Sequence, residues 1–251
     1  MPYCSPPFGV LTVNISDGWN ESADAWLADI GEDGDYGRKF VLDAPMLERI
    51  KERGFKTALD VGCGEGRFCR IMRNNGITTV GIDPTQAFIA RARELDAAGD
   101  YRLARAENMD VATGAFDLVV SYLSLIDIPD LAHATAKMVT ALRPGGTLLI
   151  TNLTSFSSAS TAGGWTKEPD GTRRFYIDNY LEERAAWVSW RGIRIQNWHR
   201  PLSAYMTLFL EAGLLLRHFS EPAPTGGDPE RMDRYRRVPY FHIMEWQKPA
   251  G

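Results

Sequence analysis

The stretch Thr57-Ala58-Leu59-Asp60-Val61-Gly62-Cys63-Gly64-Glu65-Gly66-Arg67-Phe68 decides how the chain is read. A short apolar run ends in a carboxylate, three alternate glycines follow, and a helical pattern begins. An apolar run of this length bounded by turn signals reads as a buried strand. Glycines admit backbone dihedrals and a closeness of ligand approach that a Cβ would obstruct. The helix beginning at Arg67 leaves its first N–H groups facing whatever fills the turn. Such a unit holds a nucleotide-like ligand or is a tight structural turn, and the downstream sequence favours the ligand.

Working outward, an α/β alternation surrounds this stretch. Leu59 to Val61 reads as the first strand and Arg67 to Asn74 as the first helix. Thr78 to Ile82 is the second strand, ending at Asp83, and Thr85 to Leu95 the second helix. Tyr101 to Ala104, Phe116 to Ser121 and Thr147 to Thr151 are further strands, with a helix over Leu131 to Leu142. Nearly continuous apolar strands separated by helices predict a parallel sheet covered on both faces. After residue 152 the pattern changes. Thr154 to Thr161 and Gly163-Gly164 read as loop, while Arg173 to Ile177, Ala185 to Ser189 and Ile193 to Ile195 alternate as antiparallel strands do. Leu202 to Ala212 is helical and Leu214 to Leu216 opens a strand. Glu221 to Glu230 reads as a surface loop, and Tyr240 to Trp246 is the last strand.

Composition narrows the class. The chain has 251 residues, 44% of them hydrophobic, enough for one α/β domain with an elaboration. A net charge of -4 does not favour a nucleic-acid polyanion. Cys4, Cys63 and Cys69 show neither a disulfide framework nor a metal-ligand spacing, so no metal is expected and a reducing cytoplasm is. Met1 to Pro7 lacks the basic-then-apolar pattern of a signal peptide, and no apolar stretch reaches the roughly 20 residues of a membrane span. Before the first strand, Trp19, Ala23, Trp26 and Leu27 share a helix face, Gly31 to Gly37 reads as loop, and Phe40 to Leu42 leads to Met46, Leu47 and Ile50 on a second helix. This segment is a cover for the sheet edge or a lid over a cofactor.

In an open parallel sheet, ligands bind outside the carboxyl ends of the strands. Asp60 and Asp83 stand at such ends. Asp83, nineteen residues beyond Gly64, is placed to take both hydroxyls of a ribose, or to cap the helix that follows. A nicotinamide site would want glycine where this chain has Arg67, and there is no Gly-Lys-Ser/Thr phosphate loop. The site asks for an adenosine-type ligand with less emphasis on phosphate.

Five stretches in order then resemble the class I S-adenosylmethionine-dependent methyltransferases, in the branch that acts on small molecules such as ubiquinone and menaquinone precursors. They are Leu59 to Gly66, Gly81-Ile82-Asp83, Ala106-Glu107-Asn108-Met109, Phe116 to Ser121, and Leu142 to Ile150. The resemblance implies an α/β, Rossmann-like, seven-stranded and mostly parallel sheet, with a helical lid over 1–56 and a cofactor core over 57–153. An inserted aromatic-rich antiparallel cap over 154–200 would line the acceptor pocket, and 201–251 would complete the sheet. It implies S-adenosyl-L-methionine as cofactor and S-adenosyl-L-homocysteine as product. Asp60, Gly62 and Gly64 would line the methionine portion, Asp83 and Pro84 the ribose, and Ala106, Glu107 and Asn108 the adenine. Ser121 and Tyr122 would approach the sulfonium, with Tyr36 and Arg38 closing over the methionine chain. One departure stands out: Arg105 occupies a position where the family often has an aspartate that bonds the adenine amino group, and an arginine cannot accept.

Methyl transfer from a sulfonium needs positioning and desolvation more than acid–base machinery. His199, by its ordinary pKa, is the candidate base, or else a pin for the loop before Pro201, and Tyr36 is a second candidate for a direct part in the chemistry. Trp19, Tyr122, Ile126, Tyr180 and His199 are the expected acceptor pocket. The aromatics of 154–200 are its wall or the private core of an added layer. His133, His218 and His242 receive no catalytic role. Arg231, Arg234, Arg236 and Arg237 read as a solvated loop face. The expected partner is a small, aromatic or partly apolar methyl acceptor, taken up by a monomer or homodimer. A modified nucleoside of transfer RNA and a non-catalytic cofactor-binding role are the alternatives.

Overall fold

The computed structural model describes residues 16–31 and 33–251, with residues 161–163 as backbone only. Cys4 and the signal-peptide reading of Met1 to Pro7 lie outside the described residues. The N-terminal region forms α1 (Trp19–Ile30), a π-helical turn (Arg38–Leu42) and α2 (Asp43–Glu48). The core follows as β1 (Thr57–Val61), α3 (Arg67–Asn74), β2 (Thr78–Asp83), α4 (Gln86–Leu95), β3 (Asp100–Leu103), β4 (Phe116–Tyr122), α5 (Leu131–Ala141) and β5 (Leu142–Leu153). Then come α6 (Ser155–Ala159), β6 (Ser160–Lys167), β7 (Arg173–Ile177), β8 (Arg184–Trp190), β9 (Ile193–His199), α7 (Leu202–Glu211), β10 (Leu215–Ser220), α8 (Pro229–Arg237) and β11 (Phe241–Gln247).

Seven strands form one sheet in the order β10-β11-β5-β4-β1-β2-β3. Strands β1 to β5 pair in parallel, and β11 runs antiparallel to both β5 and β10. Helices cover both faces, so central strands carry apolar residues on both sides and every residue of β4 is buried. The period of two divides them: Val119 joins Leu59, Ile150 and Trp246 on one face, while Leu118 and Val120 join Met46 and Met72 on the other. Strand order reverses between β1 and β4, and that is where such sheets leave a crevice.

Two expectations are corrected. The stretch Thr154 to Gly164 is not loop: the Thr154 hydroxyl accepts from Ser157 N (3.2 Å), capping α6, and β6 pairs with β7. The four late arginines belong to α8, not to a loop, because Asp228 accepts from Arg231 N (2.7 Å) and Pro229 fills the first helical turn. The aromatic excursion is two hairpins, β6–β7 and β8–β9, and neither has a private core. Tyr176, Trp187 and Leu181 stand exposed.

The second hairpin clamps the segment that leaves β4. Trp198 N donates to Ile126 O (2.6 Å), Asn197 Nδ2 to Asp127 Oδ1 (2.5 Å), and Gln196 N to Asp17 O (2.8 Å). Buried Arg200 donates to the carbonyls of Leu125 (3.3 Å), Ile128 (2.8 Å) and Pro129 (2.9 Å). Removing that guanidinium leaves buried acceptors without donors, at about 1–3 kcal/mol each. Arg200→Met is therefore expected to cost about 3 kcal/mol or more and to lower the melting temperature by roughly 6–12 °C in calorimetry. A shift under about 2 °C would show that the loop is held by other means.

Candidate functional site

The glycine turn folds back on β2, where Gly62 N and Cys63 N both donate to Ile82 O (2.8 and 2.9 Å). Gly62, Gly64 and Gly66 all have positive φ (77°, 56° and 76°) but answer to different needs. A Cβ on Gly62 would lie 2.3 Å from Ser124 Cβ, and one on Gly66 2.5 Å from the Tyr101 ring. A Cβ on Gly64 would meet nothing within 4 Å. Two glycines thus serve packing, and Gly64 faces open space above the strand ends.

Carboxylates gather around that space. Asp83 Oδ2 accepts from Gly64 N (3.0 Å) and Oδ1 from Thr85 N (2.8 Å), so it ties the turn to the start of α4. Burial raises its pKa to about 6, against those two amide bonds. Asp60 lies inside β1 at 1% exposure; Oδ2 accepts from the Cys69 thiol (3.4 Å) and Oδ1 has no donor. Burial, with the charges of Asp83 and Glu65 adding, raises Asp60 to about 7. Glu65 Oε1 is likewise buried without a partner. Three buried carboxyls with two orphaned oxygens describe a site short of positive charge.

The remaining expected residues divide. Arg38 lies in the same region: its guanidinium is 5.0 Å from the Trp26 ring centre and 5.6 Å from that of Tyr122, and it bonds Asp35 Oδ2 (2.9 Å). Tyr122 packs on Phe68 and donates to Asp43 Oδ1 (2.9 Å). Trp19 packs edge-on against Trp26 and Phe88. Ala106, Glu107 and Asn108 form one 3-10 turn after β3, and Pro84 follows the Asp83 carboxylate. Ile126 is buried in the clamped loop, and Tyr180 packs on Phe156 and His199.

Three residues stand elsewhere than expected. Ser121 is fully buried and bonded to Ser124 Oγ (2.6 Å), so it braces the loop instead of facing a ligand. Tyr36 turns away from the glycine turn, with its ring on Phe40, Tyr235 and Arg231 and its hydroxyl donating to Gly226 O (3.2 Å). His199 is held at both ring nitrogens. Its Nε2 meets Tyr180 O (2.8 Å), which only accepts, so Nε2 carries the proton and Nδ1 accepts from Ser158 Oγ (2.8 Å). Burial also lowers its pKa, keeping the ring neutral.

Arg67, where a dinucleotide site would have glycine, fastens the N-terminal region. It donates to Asp43 Oδ1 (3.1 Å) and to Asp33 O (2.8 Å), and Asp43 also holds Tyr122. Arg105 has a similar job, reaching Asp17 Oδ2 (3.5 Å) and Glu107 Oε2 (3.7 Å). Asp127, absent from the expected set, takes the Asn197 bond from β9, and burial raises its pKa despite that bond. Its only sequence signal was a carboxylate inside the apolar run Leu125 to Ile128.

Residues 59–150 match the model of a family described as methyltransferase domain. A malonyl-[acyl-carrier protein] O-methyltransferase of Enterobacter lignolyticus is 34% identical over 120 residues, 48% of each chain. A ubiquinone biosynthesis O-methyltransferase of Pseudomonas paraeruginosa is 36% identical over 153 residues, covering 57% of this chain and 66% of that one. The chain spans about half to two thirds of the length of the curated relatives it matches. A crystal structure of an S-adenosylmethionine dependent methyltransferase from Mesorhizobium loti superposes with a TM-score of 0.74 at 25% identity, over 87% of this chain and 100% of that one.

The fastening by Arg67 can be tested directly. Arg67→Gly, which restores the dinucleotide-type glycine, is expected to speed proteolytic cleavage before residue 50 by about tenfold, because it removes the tie to Asp43 and Asp33. Unchanged cleavage would show that the N-terminal region is held without it.

Proposed function

We propose that this chain, whose core belongs to the class I S-adenosylmethionine-dependent methyltransferase family, transfers a methyl group from S-adenosylmethionine to an oxygen atom of a small metabolite. One observation carries the reading: a Cβ on Gly64 would meet open space, the Gly64 amide is held by Asp83, and the nearby buried carboxyls of Asp60 and Glu65 each keep an oxygen without a donor. That donor set fits the cofactor, which brings an ammonium, a sulfonium and two ribose hydroxyls. When bound, S-adenosylmethionine supplies an electrophilic methyl group on positively charged sulfur.

Asp83 would hold the ribose hydroxyls, since each carboxylate oxygen has a lone pair left after its amide bond. Asp60 would face the ammonium through its unpaired oxygen, and Arg38 the cofactor carboxylate. The 3-10 turn at Ala106 would border the adenine. With His199 engaged at both nitrogens, the chain contributes positioning and exclusion of water through Trp26, Phe68 and Tyr122. An oxygen acceptor is supported by the two relatives, both called O-methyltransferases. The acidic surroundings of the site oppose a transfer RNA substrate. Two buried, unpaired thiols, Cys63 and Cys69, suit a reducing compartment such as the cytoplasm.

The reading is tested by incubating the full chain with S-adenosylmethionine and a panel of hydroxyl-bearing and carboxylate-bearing metabolites, with S-adenosylhomocysteine as readout. Turnover on no compound would overturn it. Gly64→Val should weaken cofactor binding by more than about tenfold by filling the open space, while the left-handed backbone costs only about 1–2 kcal/mol of stability. An unchanged dissociation constant would remove the cofactor from this turn.

Cofactor binding should also depend on pH. Burial raises Asp60 to about 7 and Asp83 to about 6, above the ordinary carboxylate value of 3.8, and a cationic ligand favours their ionised forms. Affinity should therefore rise from pH 5 to pH 7.5 and level off above it, with protons released on binding near pH 6.5, measurable by calorimetry in two buffers. The neutral product S-adenosylhomocysteine should show a weaker dependence. For the ligand-free protein the sign is opposite: raised folded-state pKa values stabilise it at low pH, and that contribution is lost as pH climbs through 6 to 7. Affinity independent of pH would show that neither carboxyl meets the ligand.

A further inference from the structure

A second concavity lies apart from the glycine turn, between the β6–β7 hairpin and α8. It is a cavity of about 240 Å³ whose lining includes Trp165, Phe175, Arg231, Arg234, Tyr235 and Tyr240. Tyr36 stands between it and the carboxylate site: its ring lies under Arg231, whereas Arg38, two residues on, reaches Trp26 and Tyr122.

The walls are flat and apolar. Trp165 and Phe175 meet edge to face at 5.4 Å, and Tyr235 stacks on Tyr240 at 5.0 Å. The charged groups that line it, Arg231 and Arg234, are both cations. Arg234 is engaged by Glu230 (3.2 Å), and Arg237, beside the cavity, has Asp233 at 3.6 Å and lies 4.6 Å over the Trp165 ring. Arg231 differs: its guanidinium lies 4.1 Å from the Tyr36 ring centre and 5.8 Å from that of Tyr235, and among the described residues no carboxylate comes within 4.0 Å of it. A stacked guanidinium keeps its N–H edge free for a planar two-oxygen acceptor.

From this geometry we infer that the cavity is a binding site for a planar aromatic carboxylate, its ring between the Trp165–Phe175 and Tyr235–Tyr240 pairs and its carboxylate on Arg231. No Asp or Glu lines the cavity while Arg231 and Arg234 do, so the charge of the lining favours an anion over a cation. The volume, about that of eight liquid waters at ~30 Å³ each, suits one substituted ring. The site does not depend on which molecule receives a methyl group, and binding alone tests it.

The probes are 4-hydroxybenzoate and its neutral isostere 4-hydroxybenzamide, titrated into the full chain by calorimetry. The acid should bind about tenfold or more tightly than the amide, and Arg231→Gln should abolish that preference while leaving the dissociation constant of S-adenosylmethionine unchanged. Equal binding of the two probes, a preference that survives Arg231→Gln, or no binding of the acid up to 10 mM (roughly 2.7 kcal/mol in affinity) would overturn the inference. Should Arg231→Gln also impair cofactor binding, Val238→Trp decides: Val238 also lines the cavity, so the larger side chain fills it without altering charge and must abolish binding of both probes, and retained binding would place them elsewhere.

Discussion

The site depends on how the chain leaves β4 beside β1. Ser124 Oγ donates to Val61 O (2.5 Å) and shares a hydrogen bond with Ser121 Oγ (2.6 Å), while its Cβ occupies the space that a side chain on Gly62 would need. The two strands diverge here because the order of the sheet reverses, and main-chain groups at the split lack a neighbouring strand to pair with. The serine pair replaces the missing ladder. Leu123, at a φ of +60°, absorbs the sharp change of direction, a conformation an apolar residue holds only when its surroundings demand it.

From that split the structure is built by attachment. The loop after β4 is gripped by Arg200, Asn197 and Trp198, and β9 in turn holds Asp17 and Ser22 at the start of α1. Arg67 and Tyr122 meet on Asp43, binding the other end of the N-terminal region to α3 and β4. These charged, directional contacts add to an apolar core that the N-terminal region shares with the sheet, where Val41, Leu42 and Met46 meet Leu118 and Val120.

Asp60, Asp83 and Glu65 are buried near the carboxyl ends of β1 and β2, and the charges of Asp83 and Glu65 add to the cost of ionising Asp60. Such a cluster is a poor way to stabilise a fold. It is a good way to select a ligand that carries positive charge and no phosphate, and Arg67 faces the N-terminal tie, not the turn.

Much of this was legible in the linear sequence. The parallel strands, the glycine turn and Asp83 at the end of β2 follow from local pattern, because apolar runs, glycine conformations and strand-end carboxylates are set by residues close in sequence. The late helix α8 is hard to read although Asp228-Pro229 announces it, since charge clusters mask a helix with no fully buried residue. The division of labour among the three glycines, the engagement of both His199 nitrogens, the turning of Tyr36 toward α8 and the meeting of Asp127 with Asn197 were decided only by the tertiary structure. Each depends on which atom lies opposite across tens of residues of chain, and period and composition carry no record of that.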